Sequence, residues 1–222
     1  MTQKFELFGL DCLCCPGLDK TNVAYVLYPM DILDSWIERA SEKYGKTIVV
    51  VTGMDWDNAF SPWPAPGEPP GSPAFQGKSP EFLDLLTKRL IPAVESRLGI
   101  PTDVVRTLFG VSMSGLFTLW QWMVCDTFTN IASLSGSFWY PGLVDWMKTH
   151  PIPPKTGKAY FLLGEQEPKA PVKAFQSVGV DTGEIITLLR EKGIDAEFES
   201  VPGNHFTAPI HRLERAFAAI YG

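Results

Sequence analysis

The chain has 222 residues, 45% of them apolar, 12% aromatic and 20% charged, with a formal net charge of −6. That length suits a single domain over residues 1–222, able to bury roughly 70–75% of the surface its unfolded chain exposes, and the composition excludes disorder, collagen-like repeats and a coiled coil. The acidic balance carries no stripe of Lys and Arg, so no nucleic-acid partner is expected, and no apolar run reaches the roughly 18 residues of a bilayer span. The opening Met1-Thr-Gln-Lys-Phe-Glu6 contains no apolar leader segment, so a cytoplasmic location without membrane association is expected.

In chain order, Phe5–Phe8 reads as a short strand. Cys12, Cys14 and Cys15 crowd beside Pro16, but no second pair at C-x-x-C or H-x-x-x-H spacing follows, so they read as free thiols and not metal ligands. Val23–Tyr28 is a continuous apolar, β-branched and aromatic run, as in a strand covered on both faces. Apolar residues Ile32, Leu33, Trp36, Ile37, Ala40 and Tyr44 then repeat near every 3.6 residues and stop at Gly45, which predicts a helix. Thr47–Thr52 is the next buried strand.

Residues 53–79 predict a long loop carrying six prolines between Pro62 and Pro73. Ser79-Pro80-Glu81 restarts a helix with a serine cap and a first-turn proline, and Phe82, Leu83, Leu86, Leu90, Val94 and Leu98 mark its buried face; Pro92 should kink it. Arg106–Gly110 reads as a strand, Ser114–Cys125 as a helix with Cys125 in the core, Ile131–Leu134 and Ala159–Leu163 as strands. Thr182–Lys192 reads as a helix, Ala196–Val201 as a last strand and Pro209–Tyr221 as a closing amphipathic helix. This alternation predicts an α/β fold: a doubly wound, mostly parallel sheet with right-handed crossovers and helices on both faces.

The informative segment is Leu108-Phe-Gly-Val-Ser112-Met-Ser-Gly-Leu116. A strand, then Gly-x-Ser-x-Ser-Gly, then a helix is the pattern of a nucleophile elbow. A serine on such a sharp turn needs small neighbours, which Gly110 supplies before it and Ser114 and Gly115 after it. The helix starting there aims its N–H groups at the serine and stabilises developing negative charge. An ordinary serine cap on a strand-to-helix turn is the rival reading.

A nucleophilic serine needs a base, and three histidines exist. His150 precedes Pro151-Ile-Pro-Pro154, and His211 lies inside the last helix. His205, in Val201-Pro-Gly-Asn-His205-Phe206, follows the last strand, at the sheet edge where doubly wound folds gather their ligand-binding loops. The orienting carboxylate should also follow a strand. Ala159–Leu163 leads into Gly164-Glu165-Gln166-Glu167, and Glu167, three past the glycine, is preferred over Glu165.

These pieces resemble the esterase branch of the α/β-hydrolase fold that includes enterochelin (siderophore) esterases and esterase-D-type S-formylglutathione hydrolases, and above all its small uncharacterised members. The elbow Gly110–Gly115, the segment Leu134-Ser-Gly-Ser-Phe-Trp139, Asp55-Trp56 with Ser61-Pro-Trp-Pro64, and Gly203-Asn-His-Phe206 carry the likeness, which spans most of residues 23–221. The resemblance implies an oxyanion hole made by the Met113 N–H and by a second donor after the strand Val23–Tyr28. Related esterases have a glycine-containing turn there; this chain has Tyr28-Pro29-Met30, and proline has no N–H, so Met30 becomes the expected donor with Asp31 as the fallback.

At this length no full set of N-terminal strands and no separate cap domain is expected, which leaves the Pro-rich loop to wall the pocket, with Trp56, Trp63, Phe75, Phe138, Trp139 and Tyr140 as candidate lining. The expected activity is hydrolysis of a small-molecule ester through an acyl-enzyme on Ser112, with no metal or organic cofactor required. Acyl transfer to an alcohol by the same residues, or a catalytically silent binding protein, are the alternatives.

Overall fold

The computed structural model describes residues 2–29 and 34–222. An N-terminal hairpin, β1 (Gln3–Leu7) and β2 (Leu10–Cys15), precedes β3 (Asp19–Leu27), α1 (Asp34–Tyr44) and β4 (Lys46–Thr52). The Pro-rich segment holds a single turn, α2 (Trp56–Ala59), and a two-residue ladder of β5 (Pro64–Ala65) with β6 (Phe75–Gln76). Then come α3 (Ser79–Leu85), a π-helical turn at Leu86–Leu90, α4 (Ile91–Leu98), β7 (Val105–Val111), α5 (Met113–Val124), β8 (Asn130–Leu134) and α6 (Leu143–Thr149). The chain closes with β9 (Lys158–Gly164), two short 3₁₀ turns, α7 (Val178–Glu191), β10 (Asp195–Val201) and α8 (Pro209–Tyr221).

Eight strands form one sheet in the order β1-β2-β4-β3-β7-β8-β9-β10. All neighbours from β4 onward pair in parallel, and β2 runs antiparallel to both β1 and β4. The expected mostly parallel sheet is therefore what is observed. Its N-terminal edge is fuller than expected: ahead of Val23–Tyr28 the sequence predicts only a short strand at Phe5–Phe8 and no full set of N-terminal strands, yet β1 and β2 are both present. The missed strand is Leu10–Cys15. Leu10, Cys12 and Cys14 are buried and belong to one core cluster while Asp11 is exposed. Buried thiols pack as small apolar groups, so these cysteines give the period-2 alternation of a strand.

Alternate residues of the central strands feed two cores. Val23, Tyr25 and Leu27 face the layer that includes α3–α7, whereas Ala24, Val26 and Tyr28 face α1 and α8 through Trp36, Ile37, Leu213 and Phe217. On the first side Glu95, which is buried, takes a two-pronged ion pair from Arg106 at 2.7 Å and a hydrogen bond from the Tyr25 hydroxyl at 3.1 Å, tying α4 to β7 and β3.

Three local expectations need correction. Ser79 does not cap its helix by side chain; it is buried in the first turn and donates its hydroxyl to the Ala59 carbonyl at 3.2 Å. Pro92 does not bend a continuous α-helix: the chain takes up the proline's missing N–H with the π turn just before it. Cys125 is half-buried at the end of α5, its Sγ 3.1 Å from the Thr127 hydroxyl, and not in the core.

Candidate active site

The C-terminal ends of the parallel strands gather on one edge, and three of the loops leaving them meet there. β7 stops at Val111 and α5 begins at Met113, leaving Ser112 to turn the chain alone at φ 57°, ψ −123°. A non-glycine residue with positive φ costs about 1–3 kcal/mol and persists only where neighbours over-determine it. Here they do. The Ser112 N–H donates to the Leu134 carbonyl at 3.0 Å, and the Ser112 carbonyl accepts from the N–H groups of Leu116 at 3.1 Å and Ser137 at 3.0 Å.

The small residues around the turn are closely packed. A methyl group on Gly110 would lie 2.3 Å from the Ser114 carbonyl oxygen, so the strand and helix close on each other only because it is absent. Ser114, where glycine is usual, is fully buried; its hydroxyl accepts the Val111 N–H at 2.8 Å and reaches the Leu27 carbonyl at 2.9 Å. It thereby fastens the elbow to the end of β3. The Met113 N–H is the first of α5, where no intrahelical acceptor exists. Met30 and Asp31, expected to supply the second donor, lie outside the described residues.

His205 Nε2 sits 3.1 Å from Ser112 Oγ, and its Nδ1 sits 2.9 Å from Glu167 Oε2. Ser112, His205 and Glu167 thus form one continuous hydrogen-bonded chain. Glu165 is exposed. His150 bonds the Trp146 carbonyl, and His211 lies at the surface 3.5 Å from Glu214. Neither reaches the serine.

Glu167 is 5% exposed, and its other oxygen is saturated. Oε1 accepts the Gly164 N–H, the Ser135 hydroxyl and Arg212 Nη1, each at 2.7 Å. Burial works to raise this carboxyl, but the hydrogen bonds from His205, Ser135 and the Gly164 N–H outweigh it and hold it below the ordinary carboxylate range. Arg212, 3% exposed, also bonds the Ser135 hydroxyl and donates from Nη2 to the Asn204 carbonyl at 2.6 Å. Neither Ser135 nor Arg212 was singled out from the sequence. The available signal was a charged residue at the start of an amphipathic helix beside Leu213, on the turn the apolar face claims.

Residues 26–219 match the esterase family described as "Putative esterase". The chain belongs to that family. This esterase has the α/β-hydrolase fold. The uncharacterized protein YbbA of Bacillus subtilis (strain 168) is 24% identical over 162 residues, which cover 71% of this chain and 65% of the relative's own length. The siderophore hydrolase EstB from Aspergillus nidulans superposes on 99% of the esterase and 95% of its own chain, at 18% identity and a TM-score of 0.76. The IroE-like serine hydrolase from Shewanella oneidensis covers all of the esterase with 79% of its own chain, at 16% identity and a TM-score of 0.80. At these identities the two structures establish the fold. Among the described residues no helix of the esterase is long and apolar enough to cross a membrane.

The aromatic residues expected around the pocket divide. Phe75, Phe138 and Tyr140 are buried in the core and do not line an open surface. Trp56, Trp63 and Trp139 are half-buried. Trp56 packs edge-on against Phe60, and Trp139, five residues past β8, lies 4.4 Å from Phe175 between ring centres. The indole of Trp63 donates to the Pro141 carbonyl at 2.9 Å and packs against Tyr140 and Trp146, while its own carbonyl accepts the Tyr140 hydroxyl.

Proposed function

We propose that this esterase hydrolyses a small carboxylic ester through an acyl-enzyme on Ser112, with residues 1–222 working as one domain. The observation that carries the reading is the chain Ser112–His205–Glu167, with links of 3.1 and 2.9 Å, ending on a serine held in strained backbone at the sheet edge. His205 Nε2 takes the hydroxyl proton as Ser112 Oγ attacks the ester carbonyl carbon. The oxyanion of the tetrahedral intermediate is met by the Met113 N–H and, on sequence grounds, by that of Met30. Collapse breaks the ester bond, and His205 returns the proton to the leaving alcohol. Water then attacks the acyl carbonyl with His205 again as base, releasing the acid and free Ser112. Glu167 holds the imidazole in the tautomer that leaves Nε2 free to accept. We further propose that Trp56, Trp63 and Trp139 wall the acyl side of the site.

The test uses Ser112→Ala and a fluorophosphonate probe. Wild-type protein should be labelled at Ser112 and should turn over p-nitrophenyl esters from a series of increasing acyl length. The variant should keep its melting temperature, lose labelling and lose turnover by about a thousandfold or more. Retention of more than a few per cent of turnover in purified variant would overturn the mechanism.

A further inference from the structure

Among the described residues, Arg212 is the one charge buried against the Ser112–His205–Glu167 chain that the mechanism does not use. We propose that it is a positioning residue with two effects: its guanidinium clips the acid to the loop carrying the base, and its charge keeps the Glu167–His205 pair from taking up a proton until lower pH. The inference rests on the functional reading above.

The clip follows from the fork shape of guanidinium. Nη1 holds Glu167 Oε1 and the Ser135 hydroxyl, while Nη2 holds the carbonyl of Asn204, the residue next to His205. One planar group therefore fixes the turn after β9 and the loop after β10 relative to each other. It also occupies Oε1, so that only Oε2 faces His205 Nδ1. Lysine, a point charge on a flexible stem, cannot make both contacts.

The charge argument treats Glu167 and His205 as one titrating unit. When the pair gains a proton, wherever it resides, His205 Nε2 no longer accepts from Ser112. A buried positive charge 2.7 Å from Glu167 disfavours that uptake and lowers the pH at which it occurs. Among the described residues, the other ionisable groups around the pair are paired or solvent-facing. Glu199 of β10 is paired with Arg215 and bonded by Tyr160, His211 of α8 lies exposed beside Glu214, and Glu165 and Lys169 of the β9 turn are exposed.

The experiment follows the His205 imidazole by ¹⁵N NMR against pH in wild type, Arg212→Gln and Arg212→Lys, alongside kcat and KM for a p-nitrophenyl ester. Arg212→Gln removes the charge and keeps an amide donor; its His205 should titrate about one pH unit higher, and the acidic limb of kcat/KM should move up with it. Arg212→Lys keeps the charge and loses the fork. Its titration should stay near wild type while kcat falls about tenfold or more and KM stays within twofold. A folded Arg212→Gln with His205 titrating at the wild-type pH would overturn the inference. Should that variant not fold, Arg212→Lys decides: wild-type kcat in a stably folded protein overturns it. The NMR readout needs no turnover, so a failure of the ester-hydrolysis reading would show separately, as a wild type that neither labels nor turns over.

Discussion

Glu167 uses its two oxygens for different work. Oε2 orients His205, and Oε1 takes the Gly164 N–H, Ser135 and Arg212. Replacing it with glutamine leaves the shape but puts an amide in both places: one end can face His205 with an N–H, which forces the wrong tautomer. Glu167→Gln should therefore lower kcat by roughly three to four orders of magnitude, while Glu165→Gln, altering an exposed group, should stay within twofold. Steady-state kinetics on the two variants decide it, and the reverse ranking would move the orienting role to Glu165.

At the scale of elements, the Pro-rich segment after β4 is more ordered than its composition suggests. Its prolines limit the unfolded chain, and Trp63 and Tyr140 cross-link it to the segment leading into α6 with two hydrogen bonds in opposite directions. Trp63→Ala removes one of these bonds and the ring packed on Trp146, so it should lower the melting temperature by several degrees. If the loop also walls the site, the same change shifts preference among acyl chain lengths. A melting temperature within one degree of wild type would remove the bracing role, and unchanged selectivity would remove the pocket role.

What was legible in the sequence follows from where each signal lies. Ser112, Glu167 and His205 could be brought together on paper because each follows a strand, and a doubly wound topology collects those loops at one edge. The preference for Glu167 over Glu165 rests on its place three past a glycine, where such folds commonly put this acid; the structure adds the physical reason, since that spacing lets Glu167 fold back onto the Gly164 N–H at 2.7 Å. Arg212 gives only the weak signal of a charge on an apolar helix face, because a helical arginine reads as a solvated charge until the acid loop is seen to cover it. The strand Leu10–Cys15 was missed because its alternation is carried by cysteines, and the short α6 because seven residues give too little periodicity to read.

For the whole molecule, the acid network has a consequence for stability. Glu167's folded carboxyl lies below its ordinary value of 4.5. A group depressed on folding contributes stability that is complete above the unfolded value and is lost as pH falls through the folded one. Ionised Glu167 also compensates buried Arg212, and a buried pair broken on one side leaves the other charge uncompensated. At pH 6 wild type should therefore be more stable than Glu167→Gln. Below pH 4.5 the carboxyl of the unfolded chain takes up a proton first; as pH falls on through the depressed folded value the native carboxyl follows, and Arg212 then faces a neutral group, as it does in the variant. The two proteins should converge as pH falls from 4.5 toward the depressed folded value. Urea midpoints measured for both between pH 6 and pH 3 give the gap directly. A gap that stays constant across that range would mean the stability comes from the shape of the side chain and not from its charge.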